Sequence, residues 1–324
     1  MLSAQQTIGN VFFDNQHPSI GDCRDELLAG LRQSQKTLNP KFFYNEAGSK
    51  LFEKIMRLPE YYPTRTEVKM LQQYAGEIAE VCGQGGVLIE PGSGNSEKVE
   101  YLLKDLKPSA YVPLDISADF LHSTAMRLGD AYPWLQVHAI CADFSQDWQM
   151  PESLPQGNRL VYYPGSTIGN LDPDDAVSFL NRVSDWVGNE GGVLIGVDLH
   201  KSEDILHAAY NDADGVTEAF NLNALHSINP LLDANFDAEN FAHKAFYNQD
   251  KRRIEMHLVS QSSHDVKCGE DVIRFDAGET IHTESSYKYT TESFSDLAER
   301  AGLTRKHGWV DDDGLFSMHY LTPA

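Results

Sequence analysis

The chain has 324 residues, with 26 Lys+Arg against 48 Asp+Glu, a formal charge of −22 and 41% hydrophobic residues. So acidic a chain repels phosphate backbones and anionic membranes, which argues against nucleic-acid or membrane-surface partners. The length suits one large or two ordinary domains, and the apolar content suffices for a full core.

Residues 1–20 lack a basic start and a long apolar stretch, so no signal peptide is expected, and the segment reads as a loosely held arm. No apolar run reaches the ~20 residues of a membrane span. Cys23, Cys82, Cys141 and Cys268 share no metal-ligand or disulfide spacing. Reduced thiols in the cytoplasm and no metal site are the expectation.

A short helix is expected over Asp22–Gln33. An aromatic loop, Phe42-Phe43-Tyr44, precedes a helix with Leu51, Phe52, Ile55 and Met56 inward and Ser49 as its cap. Leu58 to Arg65 carries two prolines around two tyrosines and reads as stiff but irregular. Thr66 is expected to cap a helix reaching about Val81. Strands then alternate with helices: Gly86–Glu90, Ala110–Asp115, Leu135–Ile140, Arg159–Tyr163 and Gly192–Asp198. That rhythm predicts a parallel, doubly wound sheet. Residues 201–242 read as helical. Strands follow at His243–Tyr247, Arg252–Ser260, Val272–Phe275 and Thr280–Tyr287. A helix over Thr291–Ala301 and a hairpin around Asp311-Asp312-Asp313-Gly314 close the chain. The expected fold is α/β. It combines a Rossmann-like sheet, mainly parallel with an antiparallel C-terminal hairpin, and a smaller α+β domain. The boundaries are 66–200 plus 289–324 for the first and 15–65 plus 201–288 for the second.

The chemistry starts at Val87 to Lys98, where an apolar run ends at Glu90 and a Gly92-Ser93-Gly94 turn opens a helix. Glu97 stands where a dinucleotide fingerprint needs its third glycine, and no Walker lysine follows. An S-adenosylmethionine (SAM) turn and a ligand-free structural turn both fit this stretch alone. Asp115, 21 positions after Gly94, sits where an acid takes ribose hydroxyls, and Asp143-Phe144 where an adenine is held. Three acids at successive strand ends favour SAM. Histidines are numerous, but His200, His243, His257 and His282 read as structural or exposed, and no general base stands out.

Phe43-Tyr44, Leu58 to Arg65, Gly165 to Asn170, Ala209 to Asn221 and Thr283 to Ser286 together resemble one family. It is that of the SAM-dependent histidine Nα-methyltransferases, which make hercynine for ergothioneine biosynthesis. The resemblance covers residues 23 to 321 and departs at Pro91 and the N-terminal arm. It implies SAM as cofactor, bound by Tyr44, Gly92, Gly94, Lys98, Asp115, Asp143, Phe144 and Ser145. It implies that Asn170 and Tyr210 hold the substrate carboxylate, and that Tyr61, Glu284 and Ser286 read the imidazole. Phe52 and Met256 would line the ring pocket, with Tyr44, Gly165 and Thr167 at the reacting α-amino group. A cytoplasmic monomer acting on L-histidine is expected. Another amine such as tryptophan, or a silent SAM-binding regulator, is the alternative.

Overall fold

The computed structural model describes residues 6–16 and 20–324. It divides into two compact units. One holds Pro63–His200, Lys288–Ala324 and the described residues before 17. The other holds Lys201–Tyr287 and the described residues from 20 to Tyr62.

The chain starts with β1 (Gln6–Ile8) and β2 (Val11–Asn15), a hairpin where a loose arm is expected from the sequence. Asn10 anchors it, because its Nδ2 donates to the Leu135 carbonyl at 2.6 Å and the Tyr132 carbonyl at 3.2 Å. The remainder of that expectation, at residues 1–5 and 17–19, lies outside the described residues.

Next come α1 (Ile20–Leu31), β3 (Lys36–Thr37), a single 3-10 turn at Pro40–Phe43 and α2 (Glu46–Ile55). The cap of α2 is Asn45, whose Oδ1 accepts the Gly48 N–H at 2.8 Å, while Ser49 lies inside the helix. Gly48 is required there: a Cβ would sit 1.7 Å from the Phe43 carbonyl oxygen and 2.8 Å from Asn223 Nδ2. Backbone cannot yield as a flexible side chain can. Gly48→Ala is therefore expected to destabilise the protein by about 3 kcal/mol, measured by denaturant unfolding.

α3 (Tyr62–Cys82) begins inside the stretch expected to be irregular. Pro63 occupies its first turn, where an N–H has no intrahelical partner to lose, so this proline starts the helix and Thr66 is interior.

The alternating region is β4 (Val87–Pro91), α4 (Glu97–Leu106), β5 (Ala110–Asp115), α5 (Ala118–Ala131), β6 (Gln136–Cys141), β7 (Arg159–Tyr163), α6 (Pro173–Val187) and β8 (Gly192–Asp198). β4 and β8 are buried throughout, as crossover helices on a parallel sheet demand. Then follow α7 (Glu203–Tyr210), α8 (Val216–Leu232), β9 (Phe241–Asn248), β10 (Arg253–Ser260), β11 (His264–Cys268), β12 (Asp271–Phe275) and β13 (Thr280–Tyr287). α9 (Thr291–Arg300), β14 (Leu303–Val310) and β15 (Phe316–Pro323) end the chain.

In the first unit the described strands lie in the order β1-β2-β6-β5-β4-β7-β8-β15-β14. β2 to β8 run parallel, and the β14–β15 hairpin adds antiparallel to β8. The chain steps outward from β4 to β5 and β6, then returns to the other edge of β4 with β7. A reversal of this kind opens a crevice at the carboxyl ends of the strands. Beneath it, Val99, Leu102, Leu103 and Leu106 of α4 pack with Leu88, Tyr111 and Val137.

In the second unit the sheet order is β3-β13-β10-β9, with β3 parallel and the rest antiparallel. β11 and β12 form a separate hairpin, and β11 is absent from the sequence expectation. α8 packs on β9 and β10. Ile254, Met256 and Leu258 share one face of β10, and Arg253, Glu255 and His257 share the other. The β10–β13 register shifts after Met256↔Glu284, so that His257 meets His282.

Candidate functional site

In the first unit the candidate residues gather at the carboxyl ends of β4 to β7. The chain leaves β4 through Gly92 at φ 67° and Gly94 at φ 53°, followed by Ser96 at φ 53°. Positive φ at two glycines makes the turn tight and leaves backbone exposed above the strand. Asp115, at the end of β5, accepts the Gly94 N–H through Oδ2 and the Ser117 N–H through Oδ1, both at 3.0 Å. Burial raises its carboxyl above the usual range, and these backbone donors oppose the rise. Phe144 covers the turn: a Cβ on Gly92 would come 3.3 Å from its ring. The ring is held edge-on by Tyr163 and Phe179. Asp143 accepts the Ser145 N–H at 3.0 Å, fixing the loop after β6.

Beyond β7, Gly165 (φ 75°) and Ser166 (φ 57°) form a second left-handed turn. Thr167 and Asn170 bound the 3-10 segment behind it. The Thr167 hydroxyl donates to the Pro164 carbonyl at 2.9 Å. Sequence reasoning missed the residue that secures this turn, Glu67 on α3. Its side chain is 0% exposed; Oε2 accepts from Lys98 Nζ at 2.6 Å, and both oxygens lie within 3.1 Å of the Gly165 N–H. Lys98 is thus committed to a buried carboxylate, which ties the two glycine turns together.

Glu90 lies below the first turn, buried, and accepts from the Tyr111 hydroxyl. Burial pushes its carboxyl from 4.5 up to about 8. A raised folded-state value means the folded protein binds the extra proton. That stabilisation is complete below about pH 4.5 and is lost as pH rises through about 8. Glu90→Gln mimics the protonated form. It should melt level with wild type near pH 4.5 and about 5 °C above it near pH 8, as read by thermal unfolding at both pH values.

In the second unit two groups form. One is aromatic: Tyr44 meets Phe52 and Phe220 edge-on, each at 5.7 Å, and Phe52 meets Tyr61 at 6.3 Å. Phe220, on α8, is inside the family-like segment but was not singled out from sequence. The other lies on the sheet: Glu284 stands across from Met256, and the Tyr210 hydroxyl donates to Ser286 Oγ at 2.8 Å. Tyr210 and Ser286, assigned to different ends of the substrate, are therefore direct neighbours.

α8 connects the two groups. Next to Phe220, Asn221 accepts from the Thr283 hydroxyl at 2.7 Å and donates to the His257 carbonyl at 3.0 Å. Its Nδ2 also reaches His243 Nδ1 at 2.9 Å, while His243 Nε2 faces the Tyr210 carbonyl at 3.0 Å. Those partners fit a neutral ring with the proton on Nε2, and burial lowers its pKa accordingly. No sequence signal marks this network, because its members come from α7, α8, β9, β10 and β13.

The chain is similar to known proteins over nearly its whole length. The family described as "Histidine-specific methyltransferase, SAM-dependent" matches residues 23–323. The histidine N-alpha-methyltransferase of Mycolicibacterium smegmatis is 40% identical over 91% of this chain and 93% of its own. Ergothioneine biosynthesis protein 1 of Neurospora crassa is 31% identical over 90% of this chain and 34% of its own, so the similarity is confined to part of that protein. A 4-dimethylallyltryptophan N-methyltransferase of Arthroderma benhamiae is 29% identical over 88% of each chain.

Proposed function

The chain belongs to the SAM-dependent, histidine-specific methyltransferase family, and we infer from that premise that it methylates the α-amino nitrogen of L-histidine three times, giving hercynine. The observation that carries the substrate reading is a polar set on an otherwise apolar strand face. Glu284 faces the Met256 side of the sheet, with Ser286 and Tyr210 bonded beside it. A carboxylate accepts an imidazole N–H, and a hydroxyl completes the second nitrogen.

The first unit suits SAM. Among the described residues nothing lies within 4 Å of a Cβ built on Gly94, so a ligand can approach the turn. Asp115 keeps acceptor capacity beyond its two backbone donors, enough for ribose hydroxyls. Gly92 and Phe144 would frame the adenine, and Asp143 with Ser145 would take its amino group. When bound, SAM supplies a methyl group on a positively charged sulfur.

The protein's task is then positioning, since the transfer is an in-line displacement. Asn170 and Tyr210 would hold the substrate carboxylate, and Gly165 and Thr167 would orient the α-amino nitrogen. Lys98, through Glu67, would keep the Gly165 turn in register with the first glycine turn. Tyr44, Phe52, Tyr61 and Phe220 would attract the methylated cation through their ring faces.

We further propose a monomer in the cytoplasm that acts on a small molecule, without nucleic acid or membrane. The charge of −22 supports the absence of nucleic-acid and membrane partners. Among the described residues no helix is long and apolar enough to cross a membrane. Incubation with SAM and each of the twenty amino acids, read by mass spectrometry, tests the assignment. Histidine alone should acquire three methyl groups. Methylation of tryptophan in its place would retain the chemistry and overturn the substrate, and SAM binding without turnover on any amino acid would make the chain a regulator.

A further inference from the structure

We propose that Glu255, His257 and His282 form a binding site for one transition-metal dication of the zinc class, on the sheet face opposite Met256. One donor atom from each residue lies within 4.8 Å of the other two. The arrangement follows from strand geometry. Glu255 and His257 are two apart on β10 and point the same way, and the register shift after Met256 sets His282 directly across from His257. The two imidazoles stack at 4.7 Å with 14° between their planes.

The donor set suits the ion. Two imidazoles and a carboxylate are a recurrent three-ligand set for zinc, with a fourth position left to water. Metal–nitrogen distances of about 2.0–2.1 Å place tetrahedral donors about 3.4 Å apart. Glu255 Oε2 and His257 Nε2 are already 3.0 Å apart, and His282 has to close a gap of at most 4.8 Å to complete the set. His282 Nε2 is at present shared with the Glu284 carbonyl at 2.9 Å and the Ser285 hydroxyl at 3.2 Å.

His257 Nδ1 is buried without a hydrogen-bond partner among the described residues. An ion taking the place of the Nε2 proton therefore costs the ring no other bond, because Nδ1 can carry that proton.

Arg253 and Lys244 set the affinity. Arg253 holds Glu255 Oε1 at 2.7 Å, and Lys244 on β9 is the cross-strand partner of His257. Two nearby cations oppose a third, so binding should be micromolar rather than nanomolar.

The test is calorimetric titration of the untagged, chelator-stripped full chain with Zn²⁺, joined to thermal unfolding with and without the ion. The expected result is one Zn²⁺ per chain and a rise in Tm of about 4 °C at saturating metal. His282→Ala and Glu255→Gln should each weaken binding at least about 10-fold and remove the Tm rise. Melting in chelator shows whether each variant is folded, and either one alone suffices for the comparison. Wild-type protein that binds no Zn²⁺, or binds it as well after both substitutions, overturns the site. If neither variant folds, the wild-type stoichiometry and Tm shift decide. Histidine methylation is assayed separately in chelator, so failure of one reading leaves the other standing.

Discussion

Glu284→Ala lowers kcat/KM for L-histidine by on the order of 10³-fold while leaving SAM affinity within about 2-fold of wild type. Glu284 is the charged side chain that β13 turns toward the face occupied by Ile254, Met256 and Leu258. Alanine there leaves an incoming imidazole N–H without its charged acceptor. The hydrogen bond exists before and during methyl transfer alike, so the loss should fall mainly on KM. Glu284 is only half-buried, and its backbone remains held by His282, so Tm should move little. Steady-state kinetics and SAM calorimetry on the same preparation separate the outcomes. Equal loss of histidine and SAM affinity would remove Glu284 from the substrate role.

Asp115→Ala weakens SAM binding by about 100-fold or more, with a lowered Tm. The carboxylate does two things at once. It fixes the turn by accepting the Gly94 and Ser117 N–H groups, and in the proposed complex it takes the ribose hydroxyls. Alanine abandons two backbone donors in a largely desolvated place and loosens Gly94, the residue that leaves the ligand room. Asp115→Asn retains one acceptor oxygen and should fall between wild type and alanine. Calorimetric titration with SAM gives the order directly. An alanine variant that binds SAM as wild type does would place the ribose elsewhere.

The parallel sheet from β4 to β8 was legible because its strands are short, mainly apolar runs ended by glycines or acids. Val87–Pro91 and Gly192–Asp198 are buried at every position, and only a strand covered on both faces carries that pattern. The C-terminal hairpin was legible from its Asp-rich turn ending in Gly314. Local competition hid other features. Pro63 signals a break in sequence yet serves as a first-turn residue of α3. Asn45 takes the cap of α2 in place of Ser49 because its side chain accepts the Gly48 N–H.

The supports of the site were hidden by separation along the chain. Glu67 meets Lys98 across 31 positions and Gly165 across 98. Asn221 meets Thr283 across 62. His257 faces His282 only because of a register shift that neither strand's pattern announces. Candidate contact residues could be named from local motifs. The groups that hold them in place became visible only when the strands were paired.

The most direct test is NMR of the product made from L-histidine and SAM carrying a ¹³C-labelled methyl group. Trimethylation of the α-nitrogen predicts three equivalent labelled methyls there, with the imidazole carbons unshifted by substitution. Label on a ring nitrogen would contradict it, as would absence of label from histidine under conditions in which another amine is methylated.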